Sequence, residues 1–113
     1  MASNGICDRV AIIGMGCTPF GEHWDRGVDE MLVSAAGDAL ASAQVTLDDV
    51  DAFWFGTMGS GGGGMPLSRA LKFDGKPVTR VENYCATGSA VSYTHLRAHE
   101  TVLDLVCRLL LEK

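Results

Sequence analysis

What this chain lacks narrows its function before any motif is read. No uninterrupted apolar run approaches the roughly 18 residues that make a membrane-spanning helix. Basic residues are sparse, with nine Lys and Arg against fourteen Asp and Glu and a net charge of −5. They stand singly, with no basic stripe and no aromatic platform for stacking bases, so no nucleic-acid partner is expected. The opening Met-Ala-Ser-Asn-Gly has no basic stretch followed by an apolar one, so the expected compartment is the cytoplasm. The four cysteines, Cys7, Cys17, Cys85 and Cys107, are irregularly spaced and read as free thiols in a reducing environment. At 113 residues there is room for one domain at most, with a small core.

Several familiar motifs are missing as well. Gly14-Met15-Gly16 begins like a dinucleotide fingerprint, but Pro19 stands where its third glycine belongs. The glycine-rich stretch between Met58 and Met65 lacks the Gly-Lys-Ser/Thr ending of a phosphate-cradling loop. His95 and His99 have the spacing of two ligands on one helical face, yet Leu96 replaces the glutamate of His-Glu-x-x-His. Cys7, Cys17, His23 and Trp24 form no ligand pattern, and no metal is expected.

What is present reads as an α/β chain. Arg9 to Gly16 (RVAIIGMG) is a short apolar run ended by glycines, the pattern of a buried strand. Val28, Met31, Leu32, Ala35, Ala36, Ala39, Leu40 and Ala43 recur at helical spacing and predict an amphipathic helix, its alanines lying close against a sheet. Thr46 to Asp49 has the form of a capping box over one helical turn. Ala52 to Thr57 (AFWFGT) predicts a second strand, Leu67 to Phe73 a short helix, and Pro77 to Tyr84 a third extended segment. The glycine-rich loop reads equally as the flank of an active site or as a mobile surface loop.

That last segment leads into Asn83-Tyr84-Cys85-Ala86-Thr87-Gly88-Ser89, where small residues permit a tight strand-to-helix turn. A cysteine at the start of a helix sits among backbone N–H groups that favour the thiolate and can stabilise an oxyanion. Cys85 is therefore the candidate nucleophile for acyl transfer; the competing reading is an inert packed cysteine.

Residues 9–89 resemble the amino-terminal part of the thiolase family, in particular its lipid-transfer-protein-type acetyl-CoA acetyltransferase branch. The resemblance rests on Val10 to Gly16 with Thr18-Pro19-Phe20-Gly21, the alanine-rich helix, the glycine-rich loop and the Asn83–Ser89 motif. It implies an incomplete thiolase-like fold, a mixed sheet with packed helices. It also implies that Cys85 forms an acyl-enzyme from coenzyme A thioesters, which are substrates, with no tightly bound cofactor. The family's activating histidine and further acid/base groups come largely from its carboxy-terminal half, so these residues alone are expected to be inactive. Neither His23, His95, His99 nor Cys107 lies in a matching motif. A parent homo-oligomer working in lipid metabolism is implied on the same basis. A β-ketoacyl synthase-type condensing enzyme, or a non-catalytic thiolase-fold binding or partner subunit, are the alternatives.

From Val91 the character of the sequence changes. Val91-Ser92-Tyr93-Thr94-His95-Leu96-Arg97-Ala98-His99-Glu100-Thr101 resembles, codon for codon, the translation of a transposase-type sequencing-library adapter. Leu105 to Leu111 fits the fixed primer segment that follows a short variable index, and Glu112 and Lys113 fit an appended adenine run. A guanine left from the insert completes an alanine codon at Ala90. The expected division is thus 1–89 as thiolase-like protein and 90–113 as an adapter-derived tail. The rival is an authentic amphipathic helix carrying Leu105, Val106, Leu109 and Leu110.

Overall fold

A computed structural model describes residues 10–100, with side chains described as far as Thr94. Cys7, Cys107 and the whole segment after Glu100, on which most of the tail reading bears, lie outside the described residues, as do the side chains of His95 and His99. The elements run α1 (Val28–Ala43), β1 (Phe53–Gly56), α2 (Met65–Leu71), β2 (Val78–Val81) and α3 (Thr87–Glu100). Single 3-10 turns at Leu47–Asp49 and Tyr84–Ala86 precede β1 and α3. This is the α/β arrangement that the hydrophobic pattern predicts.

The periodic run at 28–43 is helical over its whole predicted length, with Asp29 and Glu30 at the positive end of the helix dipole. It stops at Gln44, which takes the left-handed conformation (φ 57°) and returns its N–H to Ala41 O. Val45 N–H reaches back to Leu40 O at 3.2 Å, closing the helix end without a glycine. The Asp49 carboxylate then accepts hydrogen bonds from Thr46 N–H (2.8 Å) and Thr46 Oγ1 (3.0 Å), which starts the turn before β1.

Strands β1 and β2 pair in parallel, with Phe53 opposite Val78 and Gly56 opposite Val81. Alternation along β1 decides what each face packs. Phe53 and Phe55 join Val50 and Leu67 in the buried core, closed over by Leu32 and Leu40 of α1, Leu71 and Phe73. The Phe53 and Phe73 rings stack at 4.1 Å. Gly56 presents the opposite face to α3: a Cβ there would lie 2.8 Å from both Thr87 Cγ2 and Val91 Cγ2. Only a residue without a side chain lets α3 approach this closely.

One sequence expectation is corrected. Residues 10–16 make no strand; β1 and β2 are the only paired strands among the described residues. The segment lies along α1 instead, where a Cβ on Gly14 would meet Ala39 O and Ala43 Cβ and one on Gly16 would meet Ala35 O. The alanines of α1 therefore serve a close approach to this extended segment, while its leucines face the sheet core. Ile12, Ile13 and Met15 are exposed, and among the described residues no strand lies beside them.

Candidate active site at the carboxyl ends of the parallel strands

A parallel pair delivers both of its following loops to one edge. After β1 comes the glycine-rich loop, and after β2 comes Cys85. The two exits are joined directly, since Thr57 N–H donates to Val81 O at 3.2 Å. Thr57 is buried, and its Oγ1 accepts Ser60 N–H at 3.1 Å, which turns the chain into the loop. Arg80, opposite Phe55 in the register, donates from Nη2 to Thr57 O (3.0 Å) and Met58 O (3.2 Å). One guanidinium on the cysteine-bearing strand thus holds the first two carbonyls of the glycine-rich loop. Its Nε is buried without a hydrogen-bond partner among the described residues.

Cys85 occupies the middle of the 3-10 turn between β2 and α3, with an exposed thiol. The predicted strand–cysteine–helix sequence is therefore present. The preceding residue carries backbone strain: Tyr84 has φ 45°, unusual for a side chain of this size. Such a conformation costs about 1–2 kcal/mol and persists where its surroundings enforce it. Here Glu82 Oε1 accepts Tyr84 N–H at 2.8 Å, Asn83 O accepts Ala86 N–H at 2.9 Å, and Tyr84 O accepts the Thr87 N–H. The Thr87 hydroxyl adds two further bonds, accepting Asn83 N–H at 2.9 Å and donating to Tyr84 O at 2.7 Å.

The other sequence candidates are not gathered here. Cys17 is exposed and its Sγ meets its neighbour's carbonyl, Thr18 O, at 3.2 Å. The His23 ring is engaged locally with Pro19 O at 2.7 Å, and Trp24 Nε1 donates to Glu22 Oε2 at 2.8 Å. Among the described residues, no group of three His, Cys, Asp or Glu could hold a metal ion, and no helix is long and apolar enough to cross a membrane. Sequence reasoning missed Arg80 and the Thr87 hydroxyl. The available signal for Thr87 was its spacing: a threonine four residues beyond Asn83, able to bond back across a turn.

Comparison with known proteins gives two archaeal relatives. One is an acetyl-CoA acetyltransferase of Methanocaldococcus jannaschii, 38% identical over 86 residues and matching 71% of this chain. The other is an acetyl-CoA acetyltransferase of Methanothermobacter thermautotrophicus, 33% identical over 94 residues and matching 70% of this chain. Both similarities support the thiolase family. The chain spans 22% of the length of each relative. No protein-family profile matches it. The parallel strands and packed helices are consistent with a partial thiolase-like fold.

Proposed function

We propose that residues 9–89 come from a thiolase-type acyltransferase in which Cys85 is the acyl-accepting nucleophile. The observation that carries this reading is the exposed Cys85 thiol on a strained turn between β2 and α3, beside the glycine-rich loop. There the Cys85 sulfur, as thiolate, attacks the carbonyl carbon of a coenzyme A thioester. The new S–C bond replaces the old one, and coenzyme A leaves as thiolate and takes up a proton, so the acyl group is transferred without any redox change. Acyl transfer to a second acyl-CoA carbanion equivalent, or the reverse thiolytic cleavage, needs further acid/base groups that this chain does not assign. Residues 9–89 alone are accordingly inactive in turnover. The similarity to two proteins named acetyl-CoA acetyltransferase supports the acyltransferase reading. The lipid-transfer-protein-type branch, a cytoplasmic site in lipid metabolism and a homo-oligomeric parent belong to the same proposal and rest on the sequence resemblance alone.

The test uses the complete protein recovered from the source gene. Incubated with acetyl-CoA and digested, it acquires an acetyl group on the Cys85 peptide, and Cys85→Ala loses it. Acetylation persisting in Cys85→Ala, or absent from the unsubstituted protein, overturns the assignment. Light scattering of the same preparation tests the oligomer, a monomer being the contrary result.

The second part of the proposal concerns residues 90–113, taken as translated adapter sequence appended after Ser89. It is supported by the residue-by-residue fit of 91–101 and 105–111 to the translated adapter and its primer segment. That α3 runs past Ser89 to Glu100 accords with the helix preference of Leu, Ala, Glu and Arg and is independent of origin. The underlying nucleotide read decides the matter. Codons at 91–101 that differ from the adapter would sink this part and leave the Cys85 assignment standing.

A further inference from the structure

The Thr87 side chain is used on both of its branches. Its methyl group packs against Gly56 of β1, where even a Cβ would come within 2.8 Å. Its hydroxyl accepts Asn83 N–H and donates to Tyr84 O, spanning the peptide groups that lead into Cys85. A hydroxyl is one of the few groups that can accept and donate at once, and both capacities are spent on the same turn. The residue so clamped, Tyr84, holds φ at 45° although its side chain is 78% exposed, so burial of that ring does not enforce the conformation. Glu82 secures the Tyr84 N–H, while Thr87 secures its carbonyl and the amide before it.

We propose that Thr87 is a positioning residue for the Cys85 thiol through its hydroxyl, which locks the strained Tyr84 backbone leading into Cys85, while the methyl packs on Gly56 and takes no part in that lock. This rests on the reading of Cys85 as nucleophile but is tested without any acyl-CoA. The two functions separate by substitution. Thr87→Val keeps the branched shape and removes the hydroxyl, whereas Thr87→Ser keeps the hydroxyl and removes the methyl.

The experiment is peptide-resolved alkylation of the 113-residue chain by iodoacetamide, with the exposed Cys17 as internal reference and amide exchange at Asn83 as a direct report on the hydrogen bond. In Thr87→Val the Asn83 amide exchanges about fivefold faster and Cys85 alkylation slows by a similar factor, as expected for loss of such a bond. Cys17 keeps its rate. Thr87→Ser retains the Asn83 exchange rate and the Cys85 alkylation rate to within about twofold, because the bond survives. An unchanged or faster Cys85 rate in Thr87→Val, or a Thr87→Ser variant that behaves like Thr87→Val, overturns the proposal. Where Thr87→Val fails to fold, Thr87→Ser and Thr87→Ala make the comparison: both lack the methyl and differ in the hydroxyl alone. Equal Cys85 rates in that pair also overturn it. Failure of acetylation in the complete protein, with the Thr87 results intact, would remove the acyltransferase reading and leave the positioning role.

Discussion

At the scale of single residues, the strained Tyr84 makes a quantitative prediction. Its ring is largely exposed, so substitutions there report backbone conformation more than packing. Tyr84→Val should destabilise the chain by about 1–2 kcal/mol, because a β-branched residue fits the left-handed region worst. Tyr84→Gly should leave stability unchanged or raise it by up to about 1.5 kcal/mol, relief of the strain being partly offset by the roughly 0.5–1 kcal/mol of entropy glycine loses on folding. Thermal melts of the two variants check both; a Val variant as stable as the Gly variant would refute the strain assignment. The place of Cys85 between strand and helix was legible in the sequence because its surroundings are local: a strand-like run, a cysteine, then small helix-starting residues. The Tyr84 conformation was not legible. Nothing about tyrosine favours positive φ, and only the bonds from Glu82 and Thr87 impose it.

At the scale of elements, two contacts hold the site edge together. Gly56 lets α3 lie against β1, and Gly56→Ala would drive a Cβ into Thr87 and Val91, whose branched side chains cannot swing aside. The expected cost is about 1–3 kcal/mol, the range for overpacking, with chemical-shift changes centred on residues 84–91. A variant with unaltered stability and spectra would contradict the close approach. Arg80 holds the loop exit, so Arg80→Met should raise amide exchange at Ser60 about fivefold while leaving Val81 protected. Unchanged exchange at Ser60 would show that Thr57 alone fixes the turn.

Helix α1 was readable residue by residue, since eight apolar positions at helical spacing leave little choice. The RVAIIGMG run was misread for a physical reason. A short apolar run bounded by glycines describes a segment that can pair, but a strand exists only where a neighbour supplies its hydrogen bonds. Here the described residues offer α1 as the neighbour, and the glycines settle on its alanines.

At the scale of the whole molecule, the balance between buried and exposed apolar surface is uneven. The core proper is Val50, Phe53, Phe55 and Leu67 with a half-buried rim. Against it, Phe20 (95% exposed), Trp24 (90%) and Met65 (77%) lie open, with Ile12 and Met15 beside them in degree. The 113-residue chain should therefore bind an environment-sensitive apolar dye and self-associate as its concentration rises. Phe20→Ser with Trp24→Ser should reduce both, as followed by dye fluorescence and light scattering; unaltered dye binding in that double variant would exclude this face as the cause. The core formed by the described residues has little reserve. Phe53→Ala, which removes the ring stacked on Phe73, should cost about 3–5 kcal/mol, comparable to the lower end of a domain's whole stability. A cooperative melt retained near the unsubstituted temperature would show that the core is larger than these contacts.

The sequence by itself determined the α/β alternation, the length of α1, the strand before Cys85 and the cysteine's place ahead of a helix. Each of these follows from interactions within a few residues, through side-chain period, turn chemistry and end effects. Only the tertiary structure decided that the glycine-rich loop and Cys85 leave the sheet at one edge, that Arg80 of the second strand holds the loop's first carbonyls, and that the Thr87 methyl seats on Gly56 of the first. Those relations join residues distant along the chain through parallel pairing and close packing, and no local pattern encodes which partners will meet.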